Sequence, residues 1–241
     1  MSKAIDTAGP TTPDKPRPQS WTVHWHLVRH APVDNPDDLA YGGLDLGIDS
    51  RNIADRVAFL RANLPSRKAD TTVVCSQLRR TRQTMQAVWP DAFADQIELK
   101  WGEQCLGAWE GQPRAEIYGP NGPIRAFFED PEGFRPPPHP GLGLPGENWA
   151  DISFRVGQAL EAPEALERSQ TRIVFTHSGA IRAALGHVLE LRAEQAFGFT
   201  IETMSLTRIA SVHFFDQGKW HRRWRVDGIN LGPGNTEVAA S

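Results

Sequence analysis

Apolar and polar residues alternate from Trp21 to Val28, the period-two signature of a half-buried β-strand. A loop rich in Asp, Pro and Gly runs from Pro32 to Gly47. Asp49 or Ser50 then signals a helix start, and Ile53, Val57, Phe59, Leu60 and Leu64 carry that helix's apolar face. Thr71 to Cys75 reads as a short buried strand, followed by a helix from about Leu78 to Trp89 that Pro90 stops. Ile97 to Lys100 is a third short strand. The rhythm then breaks between Gly111 and Gly146, where the chain offers a helical piece around Ile124 to Glu129 and a Pro-rich stretch from Arg135 to Pro145. An irregular segment of that length inside a compact domain usually serves as a lid or cap. Regularity returns with a helix from about Glu147 to Leu160, a strand from Arg172 to Thr176, a helix through Ala180 to Leu189 and another around Ala193 to Phe197. Two or three strands, over Ser205 to Ala210, Ser211 to Phe215 and Trp220 to Val226, close the chain, with a turn at Asp216-Gln217-Gly218.

Strands that alternate with helices predict an α/β fold, a three-layer sandwich whose mainly parallel sheet is covered by helices on both faces. The closing hairpin is antiparallel. Residues 1–20 hold four prolines and almost no large apolar side chain, which predicts a flexible tail. Residues 21–230 then form one domain with a cap insertion at about 111–146, and residues 231–241 a flexible C-terminus.

Composition narrows the class of function. The 241 residues are 39% hydrophobic and 23% charged, the balance of a soluble globular protein, and no run is long and apolar enough to span a membrane or to act as a signal core. Cytoplasmic residence is the expectation. A net charge of -3 leaves no basic face for nucleic acid, and the run from His221 to Arg225 reads as a solvent-facing strand. Cys75 and Cys105 fit reduced thiols rather than a disulfide scaffold.

Three strand ends present reactive groups: Arg29 and His30 after the first strand, Ser76 with Arg79 and Arg80 after the second, and His177 after the fourth. If these strands run parallel, two imidazoles and at least two guanidiniums crowd at one sheet edge, where open α/β sheets bind ligands. Such a pocket suits a phosphate, and the helix that begins after His177-Ser178-Gly179 would add backbone donors at its N-terminus. Competing patterns fail on spacing. Cys75 places Thr81 where a cysteine phosphatase needs Arg, and Gly141-x-Gly143-x-x-Gly146 follows a Pro-rich stretch instead of a strand. His24 and His26 share one face of their strand, but no third ligand completes a metal site. His139, His187, His213 and His221 default to structural or solvated roles.

With these motifs in order, the chain resembles the histidine phosphatase superfamily, which includes cofactor-dependent phosphoglycerate mutases and α-ribazole phosphatases. The resemblance rests on Leu-Val-Arg29-His30, Ser76 to Thr84, Glu103 to Gly111, Gly146 to Asp151 and Phe-Thr-His177-Ser178-Gly179. It implies a phosphoglycerate-mutase-like fold and a phosphohistidine intermediate on His30. It also implies that Arg29 and Arg80 hold the phosphoryl oxygens, that His177 completes the pocket, that Glu103 is the general acid, and that neither metal nor other cofactor is needed. Ser178 would add to the phosphate site.

The departures from the family pattern carry information too. Ala31 stands where Gly is common, and Pro36 replaces a customary Asn, leaving the adjacent Asn35 to substitute as a phosphate contact. Tyr41-Gly42-Gly43-Leu44-Asp45 is more similar to the α-ribazole phosphatase loop than to the mutase loop. Mutases pair two arginines in the cap to hold a carboxylate, whereas Ile124 to Phe128 offers Arg125 alone. The cap instead offers aromatic area in Trp109, Phe127, Phe128, Phe134 and Trp149, which either contacts substrate or packs the cap onto the body. The expectation is therefore a phosphatase acting on a small organic phosphomonoester such as α-ribazole phosphate. A phosphoglycerate-mutase-type transferase and a non-catalytic phospho-ligand binder are the alternatives, and homodimerisation is left open.

Overall fold

The structure is a computed structural model that describes residues 20–141, 143, 145–162 and 170–234. The expected tail at 1–19 and the end at 235–241 lie outside the described residues, whereas Ser20 and Leu231 belong to strands. The elements are β1 (Ser20–Arg29), α1 (Ala54–Asn63), β2 (Thr71–Cys75), α2 (Arg79–Val88), β3 (Gln96–Ile97), α3 (Arg114–Tyr118), α4 (Ile124–Glu129) and α5 (Trp149–Leu160). They continue with β4 (Gln170–Thr176), α6 (Ser178–Leu189), α7 (Ala193–Phe197), β5 (Leu206–Asp216) and β6 (Lys219–Leu231).

One six-stranded sheet runs in the order β3-β2-β4-β1-β5-β6. β3, β2, β4 and β1 are mutually parallel, and β5 and β6 are antiparallel to their neighbours. Alternate side chains of the central strands feed two cores. Trp25, Leu27, Val74 and Val174 face α5 and α6, while Val28, Val73, Cys75, Ile173 and Phe175 face α1 and α2. A strand covered on both faces must be apolar on both, and the burial of Thr71–Cys75 and Gln170–Thr176 follows from that demand.

The structure settles one open expectation, meets a second and corrects a third. Ser205 to Ala210 and Ser211 to Phe215 are one strand, because Ala210 and Ser211 stay on the ladder opposite His24 and Val23 of β1 and lie fully buried. Small side chains there blur the apolar signal without breaking the hydrogen bonding. The hairpin turns at Gln217 and Gly218 with φ of 47° and 81°, the two positive angles that a tight hairpin turn of matching twist requires. The third strand stops at Ile97, and Leu99–Trp101 forms a 3-10 turn that drops Trp101 into the core and leads the chain to Glu103.

The cap has its own small core of Ala40, Leu106, Trp109, Ile117, Ile124 and Phe127. It holds a helix that the sequence pattern did not signal, α3. Trp109 stacks on Phe134 at 5.8 Å, so those two rings pack the cap, while Phe128 is 53% exposed. Among the described residues no helix is long and apolar enough to cross a membrane.

Candidate active site

Register brings the reactive groups together. Arg29 of β1 pairs with Thr176 of β4, and Cys75 of β2 pairs with Phe175. The residues that follow, His30, His177 and Ser76, therefore emerge side by side at the carboxyl edge of the parallel strands. The His30 amide donates to the Thr176 carbonyl at 2.9 Å and the Ser76 amide to the Phe175 carbonyl at 3.2 Å, which extends the ladder to the reactive residues themselves. The His30 and His177 ring centroids lie 5.1 Å apart.

Backbone sets the chemical state of His30. Its Nδ1 lies 2.6 Å from the Ala31 carbonyl, which can only accept, so the ring proton sits on Nδ1 and Nε2 keeps its lone pair. The Ala31 amide is itself fixed by Thr84 Oγ1 at 2.8 Å, so α2 holds the residue whose carbonyl orients the His30 ring. Burial pushes the His30 imidazole well below its usual range, with Arg80 and Arg29 acting in the same direction and the Ala31 hydrogen bond opposing. A neutral imidazole with a free nitrogen results. His177 is likewise held well below the usual range, first by burial and then by His30 and Arg80. Its Nε2 is 2.8 Å from Ser76 Oγ.

Arg29 and Arg80 are both anchored on main-chain carbonyls. Arg80, fully buried, donates to the Gly42 carbonyl at 2.7 Å and the Leu44 carbonyl at 2.6 Å. Arg29 donates from Nη1 to the Ile201 carbonyl. Among the described residues, His30 Nε2, His177 Nδ1, Arg29 Nε and Arg80 Nε are all buried with no hydrogen-bond partner. A buried polar group without a partner is destabilising by about 1–3 kcal/mol, and here four belong to the four residues that sequence reasoning assigned to one anion.

Glu103 sits at the start of α6. Its Oε1 accepts from the Gly179 amide at 3.0 Å and its own neighbour Gln104 at 3.1 Å, while Ser178 Oγ donates to Oε2 at 3.3 Å. A Cβ on residue 179 would lie 2.4 Å from Glu103 Oε1, so Gly179 is required for the carboxyl group to approach the helix. Ser178 thus reaches the site, with its hydroxyl turned to Glu103. Asn35 does not reach it. Its amide nitrogen donates to the Leu39 carbonyl at 2.9 Å and its amide oxygen accepts from the Leu39 amide at 3.1 Å, so both ends of the side chain close their own loop.

A cavity of about 300 Å³ adjoins these groups; Arg29, Glu103, Ser178 and Gly179 are among its lining residues, whereas His30, Arg80 and His177 are not. Tyr41, Tyr118, Phe127, Phe128, Trp149 and Phe197 supply its walls. Phe197 packs on Trp149 at 4.8 Å and on Phe127 at 5.6 Å, so part of the expected aromatic cap faces the cavity. Two cations that the sequence reading missed, Arg114 and Arg182, also line it. Arg182 lies five residues past His177 and could have been placed by helical phase, one turn above Ser178. Arg114 belongs to the unsignalled helix α3. Among the described residues no group of three or more His, Cys, Asp or Glu side chains is arranged to hold a metal ion.

Solved structures of known proteins share this fold. The structure is similar to that of a candidate α-ribazole-5'-P phosphatase from Escherichia coli, with 20% identity, a TM-score of 0.66 and coverage of 87% of this chain and 96% of that one. It is similar to mycobacterial glucosyl-3-phosphoglycerate phosphatase, with 22% identity, a TM-score of 0.66 and coverage of 87% and 99%. It is also similar to phosphoserine phosphatase from Entamoeba histolytica, with 18% identity, a TM-score of 0.61 and coverage of 86% and 96%. These likenesses bear out the phosphoglycerate-mutase-like fold expected from the sequence. No curated protein matches the chain significantly in sequence. The family model for the histidine phosphatase superfamily (branch 1) matches residues 25–227, from the first strand through the site to the closing hairpin, and the chain belongs to that superfamily.

Proposed function

We propose that the protein is a phosphomonoester phosphatase of the cytoplasm that works through a phosphohistidine on His30, on an organic phosphate of the size of α-ribazole phosphate. The observation that carries the reading is the convergence of four unpartnered buried atoms, His30 Nε2, His177 Nδ1, Arg29 Nε and Arg80 Nε, at one strand edge. The Nε2 lone pair attacks phosphorus in line with the leaving oxygen. As that P–O bond breaks, Glu103 gives its proton to the leaving oxygen. Arg29, Arg80 and His177 donate to the equatorial oxygens, where charge spreads in the transition state; removing one such donor typically lowers the rate about 10²–10³-fold. Water then attacks the phosphohistidine, Glu103 takes back a proton from it, and the N–P bond breaks to return the lone pair to Nε2. Inorganic phosphate leaves.

The mutase reading also has an observation in its favour, since Arg114 and Arg182 restore to the cavity the cations that Ile124 to Phe128 lack. A phosphomonoester screen separates the readings, with α-ribazole phosphate, sugar phosphates, phosphoserine and 3-phosphoglycerate assayed for phosphate release and for isomerisation. Release of phosphate by the wild type, its loss in His30→Ala, acid-labile label on His30 and indifference to chelator are expected. Glu103→Gln should lose about 10²–10⁴-fold on alkyl esters; with 4-nitrophenyl phosphate, whose leaving group needs no proton, it should keep the initial burst of nitrophenol and slow the hydrolysis of the phosphohistidine that follows. Isomerisation of 3-phosphoglycerate without phosphate release would sink the phosphatase reading.

A further inference from the structure

The Gly146 to Asp151 motif and the helix it opens, α5, have no task in the reaction just derived. Arg155 of that helix engages all five of its N–H donors. Nε and Nη2 form a bidentate pair with the Glu147 carboxylate at 2.7 and 2.8 Å. Nη1 donates to the Lys100 carbonyl at 2.7 Å and the Gly102 carbonyl at 2.9 Å, and Nη2 donates again, to the carbonyl of Glu103 itself, at 3.1 Å. Glu147 closes the grip on the following residues. Its Oε2 accepts from the Cys105 amide at 3.0 Å, its carbonyl accepts from the Gln104 side chain at 2.7 Å, and its amide donates to the Cys105 carbonyl at 2.8 Å.

The grip falls where the sheet gives no support. β3 ends at Ile97, and the 3-10 turn at Leu99–Trp101 closes with the Gly102 amide on the Leu99 carbonyl, so residues 103–105 lie beyond both. At the start of α6, Gly179 and Ser178 hold the Glu103 carboxyl group, while α5 holds the backbone that carries it. Arg155 and Glu147 are not among the residues that line the cavity, so they act on a substrate there only through others.

We propose that Arg155, paired with Glu147, is a positioning residue that sets the Glu103 carboxyl group for proton transfer to the leaving oxygen. The proposal rests on the reading of Glu103 as the general acid. An acid must lie within hydrogen-bond reach of the atom it protonates, and a misplacement of about 1 Å typically costs about 10²-fold in rate. Lysine cannot replace this arginine, because it offers three donors on one point charge in place of a planar fork of five.

Single-turnover kinetics with enzyme in excess tests it, because release of the alcohol then reports formation of the phosphohistidine alone. Two esters are compared: 2-phenylethyl phosphate, whose leaving oxygen needs a proton, and 4-nitrophenyl phosphate, whose leaving oxygen does not. Arg155→Lys is expected to lose at least about tenfold on the alkyl ester and less than about threefold on the nitrophenyl ester. Inhibition by orthovanadate within twofold of wild type shows that the variant is folded with its phosphate pocket intact. In a Glu103→Gln background the same substitution adds less than about threefold on the alkyl ester, since the group it positions is already gone. Glu147→Gln, which removes the charge from the pair, shows the same selective loss and decides the matter if Arg155→Lys is unstable. Equal losses on both esters, or a loss that multiplies with that of Glu103→Gln, overturn the proposal and leave Glu103 as the acid. A Glu103→Gln enzyme that slows equally on both esters removes the acid reading and the proposal with it. A crystal structure of Arg155→Lys is the arm independent of turnover: Glu103 displaced by about 1 Å with Gly179 in place is expected, and an undisplaced carboxyl group overturns the proposal. If wild type releases alcohol from neither ester, the phosphatase reading falls and this arm still decides whether Arg155 places Glu103.

Discussion

Replacing Ser76 by Ala takes one hydroxyl from the interior of the site and leaves every charged group in place. Thr81 donates its own proton to the Leu78 carbonyl at 2.8 Å, and the Leu78 amide donates to Ser76 Oγ at 3.3 Å. Ser76 Oγ lies 3.3 Å from Thr81 Oγ1 and 2.8 Å from His177 Nε2, and donation along the shorter contact places the imidazole proton on Nδ1, the atom without a partner. One neutral buried hydrogen bond is worth about 1 kcal/mol, so its loss lets the tautomer ratio drift by about fivefold. A ring that also pivots loses part of a phosphoryl donor whose full removal is worth about 10²–10³ in rate. Between those limits, Ser76→Ala should lower kcat about 10- to 100-fold, with KM changed far less, since the two guanidiniums still bind the ground state. The assay is steady-state hydrolysis of 4-nitrophenyl phosphate, read beside the ¹⁵N shifts of His177. A folded Ser76→Ala enzyme with kcat within twofold of wild type would refute the tautomer argument.

Three other perturbations follow from the same contacts. Gly179→Ala forces a methyl group to within 2.4 Å of Glu103 Oε1, so alkyl-phosphate turnover should fall at least tenfold while circular dichroism stays unchanged. Thr84→Val keeps the volume but strips the Ala31 amide of its acceptor, and thermal denaturation should register a loss of about 1–3 kcal/mol with a parallel drop in kcat. His26, His30 and His177 all have folded-state values below the usual 6.5, His26 at about 4. The unfolded chain then binds more protons below pH 6.5, so stability is full above that pH and is lost as pH falls toward the folded values, by up to about 1.4 kcal/mol per unit for each group. Urea midpoints measured between pH 7.5 and 5 should fall steeply, and a flat series would show that these imidazoles are not buried neutral.

How much of this could be read from the chain depends on how far each residue sits from a periodic element. His30, Ser76 and His177 follow strands of clear period or clear burial, so a parallel sheet was enough to gather them. Glu103 came from the motif alone, since nothing local says that a 3-10 turn at Leu99–Trp101 delivers it to the start of α6. Asn35 was misplaced because its partners are four residues away on its own loop, a competition between local and site hydrogen bonding that sequence does not resolve. Arg114 was hidden by a five-residue helix among Pro and Gly, too short to show a period. Arg182 had a readable phase, but its meaning depends on a carbonyl from residue 199 and on a cap folded above it.

Arg29, Arg80 and Arg182 share one anchoring device: each is held by main-chain carbonyls, those of Ile201, of Gly42 and Leu44, and of Phe199. An acceptor that every amino acid carries does not depend on the side chain at its position. At Leu44 and Phe199, which are only partly buried, the side chain can change so long as the backbone path is kept, whereas Gly42 is fixed by a φ of 28° and by the Leu106 side chain and Gln104 carbonyl that a Cβ would meet. A substitution at Leu44 or Phe199 is expected to leave the guanidinium contact in place, because the acceptor it uses belongs to the main chain.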